Sequence, residues 1–455
     1  MTDSSTIEID DAPDELPEPR PPGVPRPRRE EALFPPAGAA PFTWLRVGLG
    51  AGAVVAGTLL SLGRVRHPGA FDSLFAEDGA VFLHDAWNRP FGDALLRPYN
   101  GYVHVGPRLL AEVAALAPVR WSPAVLTVQA ALVTALLGLC VYAGSAAHLR
   151  HPLARLVVAV PAVALPWSPG FYGGESGPVD NNVATLQFPA LYATFWMLLW
   201  TPPRLAGRIA AALVVAATAA SSLLAVVFVP LAAYRFAVRR DRHSALLAGL
   251  LAAGAAVQAA ALVLGPGRDV SRARFDPAWV LTEYVTTLVP RAVLGDRWLD
   301  PPSAHRLEHL ALVALAWLVP AGVAWFAVRR LTAPAFRLAA VAAAHSFVLF
   351  GGQVAAHGSV PARYVVAPAL LLLAALVALV RPGPAAPLAA LAVLVAVACV
   401  ANLRADTYRT KATPWHERVA QAQARCAADP ALRAYRTIDM PAFAWATDIP
   451  CQLVR

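Results

Sequence analysis

The chain has 455 residues, 57% of them hydrophobic and 15% charged, with a formal net charge of +9. Soluble domains carry about 25% charged residues, so a soluble enzyme is a poor reading. The basic balance does not point to nucleic acid either, because the arginines lie between long apolar runs, where loops on the cytoplasmic side of a membrane carry them. The expected class is all-α: a polytopic helical membrane protein.

In chain order, residues 1–42 run from an acidic patch into the Pro/Arg segment RPPGVPRPRREE. Such a composition buries little apolar surface, and the stretch is expected to be a disordered cytoplasmic tail. Arg26, Arg28, Arg29 and Arg46 place it inside. A bilayer core takes about 20 apolar residues per helix. On that scale residues 43–403 form a transmembrane domain of about eleven spans, opening with Trp44–Gly63. Residues 64–107 form a first extracytoplasmic loop, and Arg108–Pro118 is amphipathic and too short to cross, so it belongs at the interface. Spans follow at Pro123–Ala146, Leu156–Trp167 and Ala184–Trp200.

Ile209–Phe236 lies between two arginine-bearing loops, Arg204/Arg208 and RFAVRRDRH. A single crossing would put those loops on opposite sides. Two short helices turning at Ser221-Ser222 keep both inside, and that hairpin is the expectation. Further spans are Ala245–Leu264, His309–Val328, Pro334–Val354, Val365–Val380 and Pro387–Leu403, leaving 404–455 as a small extracytoplasmic tail. The lone lysine, Lys411, amid abundant Ala, Arg, Pro and Gly fits a GC-rich bacterial genome, and the expected location is a bacterial plasma membrane.

The first outside loop concentrates polar chemistry. Its centre is the acidic dyad Glu77-Asp78, followed by Gly79. Two adjacent carboxylates can accept a proton, hold a divalent cation or stand solvated, and the residues alone leave all three open. Tyr102 and His104 alternate in GYVHV, which aims both to one side of an extended segment, and Asn100 lies in the turn before them. Arg363, beside Tyr364 at the outer end of a late span, can grip a phosphate with its planar fork or serve as an interfacial anchor. The loop FYGGESGPVDNN offers Asp180 and Asn181, whose polar ends suit sugar hydroxyls or plain solvation. In the tail, Cys426 and Cys451 are 25 residues apart, and outside the cell they are free to pair.

An acidic dyad in FAEDG after the first span, the phrase PYNGYVHVGPRLLAEVAAL, the hairpin ASSLLAVVFVPL and the late segment PARYVVAPALLLL together resemble the GT-C class of polytopic glycosyltransferases. The resemblance follows the topology of most of residues 44–403, but its motifs are short pieces. It implies a GT-C-like fold and transfer of a sugar from a polyprenyl-phosphate carrier to a glycan, lipid or protein acceptor outside the membrane. It further implies an inverting displacement with a base near the acceptor hydroxyl. Asp78 is the expected base, with Gly79 letting the backbone turn, and Glu77 is the longer arm for a cation or the acceptor. His104 would orient the dyad or meet phosphate, and Arg363 would hold the carrier phosphate. The competing reading is a transporter or lipid flippase. Transporters place ionisable residues and broken helices at the membrane midplane, whereas here the spans are nearly free of charge. A scaffold for envelope assembly, with a merely structural dyad, is the third reading.

Overall fold

The computed structural model describes residues 33–38, 43–65, 67–167, 181–265, 272–299, 306–381, 385–403, 409, 412–440 and 445–455. The architecture is nearly all helix, with one two-stranded antiparallel sheet among the described residues. Six helices are long and apolar enough to cross a membrane, and four shorter apolar helices accompany them.

The first long helix, α1 (Trp44–Leu62), packs along α3 (Ser122–Gly144) and leaves most of its surface outward. Between them lies α2 (Val105–Ala115), short and amphipathic, with Arg108 and Ala111 buried and Leu109 and Val113 outward. After α3 come α4 (Pro152–Ala164) and α5 (Gln187–Leu199). α4 contains Pro161 and ends four residues later at Leu165, in left-handed conformation. α5 has no outward face: Leu191, Tyr192, Phe195 and Trp196 are all fully buried.

The segment expected as a hairpin is one. α6 (Leu205–Ser221) stops where Ser222 becomes extended, a 3-10 stretch covers Leu223–Phe228, and α7 (Val229–Arg239) starts on Pro230. Arg235 of α7 donates to the carbonyls of Leu198 and, at 2.7 Å, of Trp200. The chain has therefore returned to the end of the bundle at which α5 finished and α6 began. α8 (Arg242–Leu264) leads away again, its first turn capped by Asp241. Next come a broken helical segment over 277–294 with a π-helical middle, then α9 (Arg306–Val328) and α10 (Phe336–His357). α11 (Val366–Leu379) carries no charge and is the most enclosed of the long helices, and α12 (Ala385–Ala401) follows it.

Two parts of the chain depart from expectation. Residues 33–38 belong to the stretch read as a disordered tail, yet Phe34 is 0% exposed and Leu33 is buried beside it. The Leu33 carbonyl meets His148 Nε2 at 3.0 Å, and the Arg235 guanidinium lies over the Phe34 ring. Two apolar residues are enough to dock when a seat exists, and averaging over the Pro/Arg composition hides them. The rest of that tail lies outside the described residues.

The C-terminal segment is the second. It folds as α13 (Trp415–Ala428) and a hairpin of β1 (Ala434–Met440) with β2 (Trp445–Pro450), in the register Tyr435↔Ile449 and Thr437↔Thr447. It is seated on the first loop and on the turn before α3: Asp72 accepts from the His416 amide at 2.8 Å, and Trp415 Nε1 donates to the Val119 carbonyl at 2.9 Å. Arg409, 2% exposed, reaches Ser73, the Asn181 carbonyl and Thr127. A disulfide joins Cys426 to Cys451, as the polar-tail cysteines led us to expect. Closing a loop of this length contributes about 3 kcal/mol. Replacing both cysteines by serine should lower the thermal midpoint of the tail and expose it to protease before the helical bundle. Equal protease lifetimes for the two forms would contradict this.

Candidate functional site

At the end of the bundle where α1 stops and α5 starts, a cavity of about 630 Å³ opens between the first loop, the hairpin turn, α10 and the C-terminal strands. Binding pockets for small molecules run from about 300 to 1,000 Å³. Of the residues singled out from sequence, Glu77, Asn100, Tyr102, His104, Arg363 and Tyr364 line this cavity. Asp78 and Asn181 stand behind its wall, and Asp180 lies outside the described residues.

The dyad is divided between two environments. Ala76 has φ +51°, in the left-handed region that a non-glycine residue adopts at a cost of about 1–2 kcal/mol. The chain then enters a π-helical turn at Asp78–Leu83, a geometry frequent at functional sites. The result turns half-buried Glu77 to the cavity and Asp78 into the protein. Asp78 is 4% exposed, and its two oxygens accept from the amides of Val183 (3.0 Å) and Ala184 (3.1 Å), at the start of the helical stretch leading into α5. Asp78, the expected base, is thus buried against these amides, and Glu77 is the member of the dyad that lines the cavity. The turn is made by Ala76, not Gly79, and the unpaired amides of a helix start attract the shorter carboxylate.

Burial pushes the Asp78 carboxyl up to about 7, against the two amides and Arg409, which pull it down, while Glu77 adds to the rise. The sign follows: a carboxyl raised from 3.8 favours the fold most below that value and loses the contribution as pH climbs through about 7. The thermal midpoint of the wild type should therefore fall relative to Asp78→Asn between pH 5 and 8. A parallel pH dependence of the two proteins would refute a titrating Asp78.

Next to the dyad, Asn100 and Gly101 both have positive φ, as a two-residue hairpin turn requires, and Tyr99 and Tyr102 exchange backbone hydrogen bonds across it. His104 lies against Tyr102 with ring centroids 4.0 Å apart, and also near Phe82 and Tyr99. Burial, aided by Arg108, brings the His104 imidazole down to about 3, so it is neutral. It stands in the cavity wall packed among these rings. Burial raises the Tyr99 phenol, with Glu77 adding to the rise and Arg363 opposing it; both charges thus act on one ring. Gln187, at the first turn of α5, ties Tyr102 to the hairpin turn: its Nε2 is 3.4 Å from the Tyr102 hydroxyl, and its Oε1 accepts from Ser222 at 2.9 Å.

The lining also carries cationic groups. Gly358 has φ +72°, and a Cβ there would run into the Arg272 carbonyl, so α10 ends pressed against that segment. The Arg274 amide donates to the Ala355 carbonyl at 2.7 Å, which fixes the same junction. Arg272, His357 and Arg363 face the cavity from here, with the Arg363 guanidinium over the Tyr364 ring and His357 edge-on to it. Sequence reasoning missed Arg272, one of several arginines in GRDVSRAR with no local mark to set it apart. It also missed Trp445, which reaches the cavity from β2. Asn181 closes the end of α1 instead of facing the cavity. Its side-chain amide donates to the Ser61 carbonyl at 2.7 Å and accepts from the Ser61 hydroxyl at 2.8 Å.

Among the described residues no three His, Cys, Asp or Glu side chains converge on one point. The fold and cavity define a multi-helix protein built from membrane-length apolar helices with a charged pocket at one end. No family model matches the sequence, and no curated protein or solved structure matches it either.

Proposed function

We propose that the protein is an integral membrane glycosyltransferase that moves a sugar from a polyprenyl-phosphate carrier to an extracytoplasmic acceptor. The observation that carries this reading is the charge lining one cavity: the Glu77 carboxylate together with the Arg272 and Arg363 guanidiniums, with aromatic and amide groups among them. A displacement at an anomeric carbon needs that arrangement. The carboxylate accepts the proton of the acceptor hydroxyl as its oxygen bonds to the anomeric carbon. The bond from that carbon to the phosphate oxygen breaks on the far side, and the departing phosphate gathers negative charge that the guanidiniums stabilise. In this scheme Asp78 is a positioning residue, which holds the start of α5 and the turn that presents Glu77.

The same reading sets the chain across a bacterial plasma membrane as about eleven spans, with the Arg208, Arg239 and Arg330 end in the cytoplasm by the positive-inside rule. Reporter fusions after Arg240 and after Arg455 should then mark opposite sides, and the same side for both would overturn the odd number of crossings. The activity itself is tested by incubating the purified full chain in nanodiscs with labelled polyprenyl-phosphate hexoses and pentoses. Label should move from the lipid phase into an acceptor. A transporter or flippase would instead leave the carrier-sugar bond intact while relocating the molecule.

A further inference from the structure

One residue lining the cavity is not accounted for by its charged groups. Trp445, the first residue of β2, lines the cavity while remaining half-buried, and it is the contribution of the C-terminal segment to the lining among the described residues. It packs against the buried cluster of Phe75, Ala76 and Ala412, the first two of which immediately precede Glu77. The indole thus lines the same cavity as the Glu77 carboxylate and packs on the cluster that holds the residues leading into it.

Several bonds hold the segment that carries Trp445. Cys451, directly after β2, is bonded to Cys426 of α13. The Arg455 guanidinium ties the last residue to the carbonyls of Asp429, Pro430 and Leu432 at 3.0–3.2 Å. α13 is in turn held to the first loop through His416 and to the turn before α3 through Trp415, and the Trp415 ring stacks near Trp87 at 6.4 Å between centroids. Every one of these ties fixes the strand that carries Trp445.

We infer that Trp445 is the acceptor platform, and that the acceptor is a carbohydrate whose ring lies on the indole. This rests on the transferase reading above and decides among the acceptor classes which that reading leaves open. The chemistry is that of a sugar ring, which presents one face of C–H bonds and an edge of hydroxyls. The C–H face packs on a flat aromatic surface, which offers a large apolar area with few rotamers to freeze. The hydroxyl edge then projects along the wall toward Glu77. A dialkyl lipid head would use the indole only as generic apolar area, and a Ser or Thr side chain has no ring face to lay on it. The held strand sets the plane of the ring before the acceptor arrives, which lowers the ordering cost of binding.

The test uses the purified full chain in nanodiscs, labelled polyprenyl-phosphate hexoses and pentoses as donors, and three acceptor sets: methyl glycosides of hexoses and pentoses, Ser/Thr peptides, and a dialkylglycerol. The wild type should transfer to a glycoside. Trp445→Ala should raise the KM for that glycoside by about tenfold, the size of an aromatic packing contact, with the KM for the donor unchanged. Trp445→Phe, which keeps an aromatic plate, should recover most of the loss and serves as the readout where the alanine form fails to accumulate. An unchanged glycoside KM in Trp445→Ala, or a loss in Trp445→Phe as deep as in Trp445→Ala, overturns the platform and leaves the transferase standing. Transfer to peptide or dialkylglycerol but to no glycoside overturns the carbohydrate assignment. Absence of transfer by the wild type to all three sets overturns the transferase reading itself.

Discussion

Glu77→Gln should lower the rate of sugar transfer by at least about 10²-fold while leaving the protein as stable as the wild type. The amide keeps the size of the side chain and its place at the cavity wall but takes no proton from an acceptor hydroxyl. Asp78→Asn should behave in the opposite way. Asp78 touches two backbone amides and not the cavity, so its change should fall on stability and its pH dependence, with a much smaller effect on the rate. Measuring kcat and the thermal midpoint for both variants separates the roles. A larger rate loss in Asp78→Asn than in Glu77→Gln would return the base to Asp78 and contradict the division of the dyad.

The second large effect belongs to the cationic groups of the cavity. Arg363→Ala should cost about 10²–10³-fold in kcat, the range found when a group that stabilises developing negative charge is removed. Arg363→Lys keeps the charge but loses the planar fork, so it should recover only part of the rate. Arg272→Ala should weaken transfer through the same leaving group, and the double variant should lose less than the product of the two single losses because the pair acts on one phosphate. Wild-type kcat in Arg363→Ala would reduce that residue to an anchor stacked on Tyr364.

Several parts of this architecture are legible in the sequence because their causes are local. The apolar runs show the helices, and the arginine-bearing loops on both flanks of Ile209–Phe236, with Ser221-Ser222 between them, show the hairpin. Two cysteines in a polar tail show the disulfide. The division of the dyad is not legible, because it depends on a left-handed Ala76 and on amides supplied from Val183 and Ala184, over a hundred residues away. Side-chain directions inferred from regular periodicity fail at such a turn. Arg272 and Trp445 escape for a related reason: each is ordinary in its own segment and acquires a role only when the chain ends of α10 and β2 meet the first loop. The docking of Phe34 escapes because composition averages over the residues around it.

The most direct measurement of the central claim is the anomeric configuration of the transferred sugar. On the proposed transferase reading, with Glu77 as base and the guanidiniums of the same cavity on the leaving phosphate, the acceptor oxygen should attack from the side away from that phosphate in a single displacement. Labelled product made by the purified wild-type chain from a carrier sugar of known configuration should, by NMR, show that configuration inverted. A product with the configuration retained, or a carrier sugar left intact with every acceptor, would contradict the account.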